Sequence, residues 1–424
     1  MDKEEQTITG IDVNRVVVGL DIGSSKIGVF IGEIQDDARI KIVGFGSTEL
    51  KKGAINELES TVQALKNAVQ QAETTSGVDV KHVYVGVAGS NIRSIASQGV
   101  VPLKDFAGSV TEVAMRRAVE QASAVVPHPM DTEIIHVLPG DFSVDEQKEL
   151  KNPLGMEGVR LSVDVQLVMA QQGIIQNIRK AVERADLVID ALVLEPLAAA
   201  CSVLYEDEKE LGVALIDIGA GSTDVAVFKG DKVVYTVSFD IAGNAITSDI
   251  AYGLKTPMNR AEEIKKKYGT CSRINLLEGQ KIPVPGIGGR EEQEYSRKHL
   301  AYIIYCRMEE IFKKVNDDLH NKGFDKQLGA GIVITGGTSS MDGSIELAEE
   351  VFRPMPVRRG VPQKSQGLGE IVTYPVYSTG VGLLYYAAKN RKKKVEPHET
   401  KATKIVATVE GFWTRIWKNL KNYI

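Results

Sequence analysis

The sequence predicts an α/β protein made of two duplicated lobes with a cleft between them, an inserted subdomain in each lobe, and an amphipathic helix at the C-terminal end. Three observations carry the duplicated lobes. The strand–DIG–turn–strand–turn–strand pattern of RVVVGLDIGSSKIGVFIGEI returns in ELGVALIDIGAGSTDVAVFKGDKVVYTVSF. Its acids, Asp21 and Asp217, lie about 200 residues apart, a spacing that marks an internal repeat of a whole α/β unit. Finally, 424 residues exceed what one hydrophobic core usually serves.

Residues 1–14 are expected to form a flexible leader, and 15–92 the first lobe's core. There the β-rich runs broken by Gly and Asp give a three-stranded meander. A helix is expected around Leu58–Ala72, where Leu58, Val62, Leu65, Ala68, Val69 and Ala72 keep i, i+3, i+4 spacing. Residues 93–165 form an insertion, with strand-like runs at HVYVGVAG just before it and RLSVDVQLVMA at its end. The first core resumes over 166–200, with a helix at Ile174–Ala185 and a strand at LVIDALVL. The second core covers 201–256, and its own helix-rich insertion 257–324. Residues 325–377 return to that core, with the strand GIVITGG and the helix SIELAEEVF. A helix over 378–390 leads back to the first lobe. Residues 391–409, with RKKK and Pro397 and no apolar period, are expected to form a linker, and 410–424 a membrane-targeting helix.

Composition narrows the function. The net charge of −5 provides no global attraction to nucleic acid. Cys201, Cys271 and Cys306 are widely spaced with no CxxC, which argues against a zinc site or a disulfide framework. The acidic, polar start is not a secretory signal. No run of 18 apolar residues occurs, so no transmembrane helix is expected.

Each DIG puts a carboxylate at a strand end, followed by small residues, which suits a phosphate cradle. Gly23, Gly219 and Gly221 let the backbone approach phosphate oxygens, and successive turn N–H groups form an anion-binding nest. Ser24, Ser25, Ser222 and Thr223 add hydroxyls, and Lys26 adds a positive charge. Asp21 and Asp217 would repel phosphate, so their expected role is to hold Mg²⁺ through water, since Mg²⁺ dehydrates reluctantly. A third element, TGGTSS, follows an apolar strand. Gly336 and Gly337, with Thr338, would let the chain pass close to a flat group such as adenosine. No GxxxxGK[ST] is present, and no GxGxxG opens a helix after a strand.

The two loops, TGG and LEPLAAA together resemble the actin, DnaK and sugar-kinase superfamily, and imply an actin/hexokinase-like fold with ATP and Mg²⁺ between the lobes. By that resemblance Glu195 sits on the connecting helix and helps arrange the attacking water, while Glu262 and Lys265 of AEEIKKKYG contact adenosine. Within the superfamily, HVYVGVAGSNIRS, HVLPGDFSVD, NPLGMEGVRL (Asn152–Leu161), AGNAITSDIAYGL and VYSTGVGLLYYA resemble the FtsA family of bacterial cell-division proteins over nearly the whole chain. That resemblance implies self-assembly into a filament, at most slow ATP hydrolysis, and tethering of FtsZ to the inner membrane at the division site, among other division proteins. It also places the FtsZ-tail site at 257–324, where Arg290, Arg297 and Arg307 would meet the peptide. A sugar- or acetate-type kinase would use the same loops but needs a second substrate pocket, for which no motif is present. A DnaK-type chaperone needs a substrate-binding domain after the nucleotide-binding part, where only a linker and a short helix follow.

On a helical wheel, GFWTRIWKNLKNYI places Phe412, Trp413, Ile416, Trp417, Leu420, Tyr423 and Ile424 within an arc of roughly 140°. Arg415, Lys418 and Lys421 lie opposite. Aromatic and basic faces of this kind characterise an interfacial membrane helix. Each large apolar side chain contributes about 1.5–3 kcal/mol on burial, and each nearby cation about 1 kcal/mol on an anionic surface. One short helix therefore binds modestly, and many copies along a filament bind firmly.

Overall fold

The computed structural model describes residues 11–37, 39–50, 58–126, 131–272, 279–363, 365–370 and 372–391. The expected membrane helix, and the linker beyond Arg391, lie outside them. Among the described residues no helix is long and apolar enough to cross a membrane.

The first lobe is built on β1 (Val16–Ile22), β2 (Lys26–Ile34), β3 (Ile40–Glu49), α1 (Leu58–Ser76) and β4 (His82–Val87). The inserted subdomain then follows as β5 (Ile92–Pro102), α2 (Glu112–Val125), β6 (Thr132–Val144), β7 (Gln147–Leu150) and β8 (Arg160–Gln171). The chain returns through α3 (Gln172–Arg184), β9 (Val188–Leu194), α4 (Glu195–Val203) and α5 (Glu206–Leu211). The second lobe has β10 (Val213–Ile218), β11 (Thr223–Lys229), β12 (Lys232–Phe239), α6 (Gly243–Gly253), α7 (Met258–Tyr268), β13 (Lys281–Val284), β14 (Gln293–Ser296) and α8 (Arg297–Asn321). It closes with β15 (Gly331–Thr335), α9 (Ser344–Val351) and β16 (Val357–Arg359), and the chain then returns to the first lobe as β17 (Gln366–Gly367) and α10 (Ser378–Arg391).

The duplication is visible in the sheet order. The first sheet runs β17-β3-β2-β1-β4-β9 and the second β12-β11-β10-β15-β16. In both, an antiparallel meander of three strands continues into two parallel strands. Parallel strands need crossover connections, and the two lobes place their insertions in different crossovers: between β4 and β9 in the first, between β12 and β15 in the second.

Both sheets are covered on both faces, which is why β1, β2, β10 and β11 read as nearly unbroken apolar runs. In the first, Leu20, Val29 and Ile31 pack on Leu65 and Ala68 of α1, while Val17, Phe30 and Ile42 pack on Val381, Leu384 and Ala387 of α10. In the second, Ile216 and Val225 face Ile246, Ile304 and Met308 of α6 and α8. Val213, Leu215 and Phe228 face Leu197, Ala200 and Val203 of α4. Ala198, on the other side of α4, belongs to the first lobe's core. α4 is apolar all round because it is buried all round. It meets α10 so closely that a side chain at Gly382 would collide with the Ala198 carbonyl.

Some details differ from the sequence expectation. Residues 11–14 are packed: Ile11 is 6% exposed, and the Asp12 N–H donates to Glu33 Oε1 at 2.9 Å. The inserted sheet spans Ile92–Gln171, wider than 93–165 at both ends. The 257–324 segment contains a β13–β14 hairpin between its helices. The inserted subdomain, although threaded out of the first lobe, docks on β12, the edge strand of the second. Buried Lys232 donates to the Gly140 carbonyl (3.0 Å) and to Asp141 Oδ1 (2.7 Å), and Gln166 Nε2 donates to the Val234 carbonyl (2.9 Å). An edge strand covered in this way is no template for stray pairing.

Candidate nucleotide cleft

The two DIG hairpins are the same object built twice. In the first, Ile22 pairs with Ile27 and the Gly23 N–H donates to the Lys26 carbonyl at 3.0 Å. In the second, Ile218 pairs with Thr223 and the Gly219 N–H donates to the Ser222 carbonyl at 3.0 Å. Their tips meet, and a side chain at Gly221 would collide with Ser24 Oγ. Ser24 and Ser25 are exposed at the tip, while Asp21 and Asp217 are 7% and 8% exposed at the strand ends.

Charge distinguishes the copies. Burial pushes the Asp21 carboxyl up, and the nearby Lys26 ammonium opposes it. Burial lowers the Lys26 ammonium, against the pull of Asp21 and Asp217. Lys26 Nζ donates to the Val376 carbonyl at 3.1 Å and lies 4.3 Å from the centre of the Tyr377 ring. The second hairpin has no such cation. Asp217 stands in register opposite Asp224, an arrangement of like charges that destabilises a ladder unless something offsets it. Burial, then Asp224, push Asp217 up to about 7, despite a 3.1 Å hydrogen bond from Thr379 Oγ1 on α10. Burial also raises Asp224, which accepts from Ser222 Oγ (2.6 Å) and from the Gly89 N–H of the first lobe (3.3 Å). Glu195, the first residue of α4, is held well above the usual carboxylate range by burial and by Asp21, Asp224 and Asp217. Its side chain lies across Gly86 on β4.

The third loop closes on the second hairpin. Gly336 adopts φ 86°, and a side chain there would collide with Asp217 Oδ1. Both reasons require glycine. Gly337 opens a short 3₁₀ turn beside Val376, and Thr338 Oγ1 donates to the Gly219 carbonyl at 2.7 Å. The start of α6 is tied to the same turn: the Gly243 N–H donates to the Gly219 carbonyl (3.1 Å) and the Asn244 N–H to the Ala220 carbonyl (2.7 Å). From there the network reaches α7. Lys265 Nζ donates to the Gly243 carbonyl (3.0 Å) and to Thr247 Oγ1 (2.8 Å), and pairs with Glu262 Oε2 at 2.6 Å. Burial lowers Lys265. Glu262 is held low by Lys265 and Thr247 in spite of burial.

Asp21, Asp217, Glu195 and the three loops thus converge, and Glu262 and Lys265 are joined to them through Gly243. The arginines do not converge. Arg290 is exposed on the β13–β14 connection. Arg297 donates to the Tyr268 carbonyl and to Gln280 Oε1, both at 3.2 Å. Arg307, about 15 Å further along α8, is held by Asp249 (2.6 and 2.9 Å) and Glu310 (2.6 Å), so its guanidinium ties α8 to α6. The membrane residues Phe412, Trp413, Arg415, Ile416, Trp417, Lys418, Leu420, Lys421 and Ile424 lie outside the described residues.

Asp224, Thr247, Gly243 and Thr379 escaped sequence reasoning. For Asp224 a signal existed: counting back from the turn places it opposite Asp217. The structure also explains NPLGMEGVRL. This loop is hydrogen bonded to its surroundings at several points, with the Val110 N–H on the Met156 carbonyl, the Gly155 N–H on the Val110 carbonyl, and Asp145 capping the Val159 and Arg160 N–H groups.

A cell division protein FtsA of Pseudomonas aeruginosa is 43% identical over 388 residues, covering 91% of this chain and 92% of that one. The chain belongs to the FtsA family. The FtsA of Neisseria meningitidis is 44% identical, with 88% of this chain and 91% of that one covered, and the FtsA of Escherichia coli K12 is 35% identical, with 95% and 96% covered. The family model "Cell division protein FtsA" matches residues 214–382, and "SHS2 domain inserted in FTSA" matches 89–169, the segment that forms the inserted sheet. Solved structures with a similar fold include the PilM–PilN type IV pilus biogenesis complex (TM-score 0.61, 20% identity, 90% of this chain and 99% of that one) and MreB5 of Spiroplasma citri bound to ADP (TM-score 0.53, 13% identity, 89% and 98%). The fold is therefore actin-like.

Proposed function

We propose that the chain binds ATP with Mg²⁺ between its lobes, self-assembles, and anchors the FtsZ ring to the inner face of the cell membrane through residues 410–424 during septum formation. Family membership supports the division role, and an actin-like neighbour solved with ADP supports a nucleotide in the cleft. The observation that carries the ligand is the second hairpin. Asp217 and Asp224 are buried in register with no cation of their own, and Asp217 is pushed up to about 7. A divalent cation offsets that repulsion. Among the described residues no three acidic or histidine side chains are grouped to ligate a metal directly, which fits Mg²⁺ held through its waters by Asp21 and Asp217. When bound, ATP would supply the phosphate oxygens and Mg²⁺ the positive charge to offset them. The chain's part is to present the turn N–H groups of Gly23, Gly219 and Gly221 with Lys26, and to offer Gly336, Gly337 and Thr338 with Glu262 and Lys265 on the nucleoside side. Glu195 orients a water at the terminal phosphate.

On the partner side, Arg290 and Arg297 are the cations we assign to the FtsZ tail; Arg307 already neutralises Asp249. A charge reversal at Arg297 that left FtsZ-peptide affinity unchanged would remove it from the site. Vesicle co-sedimentation tests the whole reading. The full chain with ATP and anionic vesicles should pellet, and both removal of ATP and deletion of residues 411–424 should reduce pelleting by about tenfold or more, the scale of lost avidity. Pelleting that ignored both changes would sink it.

A further inference from the structure

The inserted subdomain meets the start of α4, the helix that carries Glu195, through β6. Strand β6 is irregular there, its pairing with β8 shifting between Ile134 and His136. Such a bulge re-aims a side chain. The side chain re-aimed is His136, 9% exposed, whose Nε2 accepts the Leu194 N–H at 2.9 Å. Leu194 ends β9, the edge strand of the first sheet, and caps α4, whose start has no side-chain cap. It is 2% exposed, so without an acceptor its N–H would be a buried orphan. An accepting Nε2 places the ring proton on Nδ1. Burial lowers the imidazole to about 4, so the ring is neutral and able to accept at neutral pH. Tyr386 of α10 meets the ring edge-on, 6.4 Å between centres, and fixes its plane. The residue after Leu194 is Glu195.

We propose that His136 is a positioning residue for Glu195. The imidazole fixes where α4 begins, and so how far the Glu195 carboxylate reaches over Gly86 toward Asp21 and Asp217. The inserted subdomain is thereby part of the phosphate site: displacing β6 moves Glu195. This rests on Glu195 acting at the terminal phosphate, as proposed above. The rival is a buried histidine that merely satisfies a backbone donor.

The test uses His136→Phe, which keeps a ring and deletes the acceptor, and His136→Gln, which keeps an acceptor, each with and without Glu195→Gln. The primary readout is the ratio of ATP to ADP affinity in Mg²⁺, from displacement of a fluorescent nucleotide. Amide exchange of the 190–200 peptide reports whether the start of α4 has loosened. His136→Phe should lower the ATP preference about fivefold, the effect of one lost hydrogen bond, with ADP affinity within about twofold and faster exchange. His136→Gln should stay within about twofold of the unaltered chain. In the Glu195→Gln background, His136→Phe should change the preference no further, because residues acting as a unit are not additive. If Glu195→Gln lowers the preference and His136→Phe does not, the proposal fails and the reading of Glu195 stands. If Glu195→Gln has no effect, both fail. An undiminished His136→Phe effect in the Glu195→Gln background also overturns the proposal. Should His136→Phe lose cooperative melting, His136→Met carries the same comparison.

Discussion

The two DIG hairpins share a backbone and differ in charge. Each closes a four-residue turn with the same 3.0 Å hydrogen bond between its ends. The first places Lys26 in the turn and Gly28 opposite Asp21, and so largely neutralises itself. The second places Ser222 in the turn and Asp224 opposite Asp217, and so concentrates negative charge. One copy thus carries a cation beside its carboxylate, and the other sets two carboxylates against each other in register. The difference lies in two positions per copy and leaves the fold unchanged.

The largest effect should be on pH dependence. Burial, then Asp224, push Asp217 up to about 7 in the folded chain, above its unfolded value. Its contribution to stability is therefore complete below the unfolded value and is lost as pH rises through about 7. The loss between pH 5 and 8 should be about 2–3 kcal/mol in the nucleotide-free protein. Urea denaturation at both pH values should show Asp217→Asn abolishing that share, and Asp21→Asn removing less because Lys26 opposes its shift. Equal slopes in the two variants would erase the contrast. Next, Asp217→Asn should weaken Mg²⁺-dependent ATP binding by about 100-fold, roughly the worth of a charge-assisted contact. Asp21→Asn should cost less; calorimetry with and without Mg²⁺ checks this. Lys26→Met should destabilise the chain by about 1–3 kcal/mol near pH 8, since it strands buried Asp21 without its cation, whereas Ser222→Ala should stay within about 0.5 kcal/mol; thermal melts compare them. The smallest effect concerns the tips. Gly221→Ala should cost about 1 kcal/mol by overpacking, and Ser24→Gly should restore most of it. Failure of that rescue would mean the tips do not meet.

The lobes were legible because duplication prints the same period twice, and the helices α1 and α3 because one apolar face each is enough to announce them. Each of these signals is local. What stayed hidden depends on neighbours distant in sequence. Asp224 is the exception, since it follows Asp217 closely and counting back from the turn sets the two opposite each other. Gly243 and Thr247 belong to AGNAITSDI, whose composition has no reason in one dimension; in three, Gly243 leaves room for Thr338 and Thr247 links Lys265 to Glu262. Arg307 has the charge a peptide site wants, and only packing reveals its bidentate pair with Asp249 on α6. The docking of the insertion on β12 could not be inferred from a segment that leaves and re-enters the other lobe.

The crossing of α4 and α10 limits how the cleft works. At Ala198 and Gly382 the two helices are separated by backbone alone, with cores packed on either side. Atoms already in contact leave no slack to take up, and pulling them apart would expose both cores at once. Any relative motion of the lobes is then a turn about this seam, like the boards of a book about its spine, with the hinge line itself staying shut.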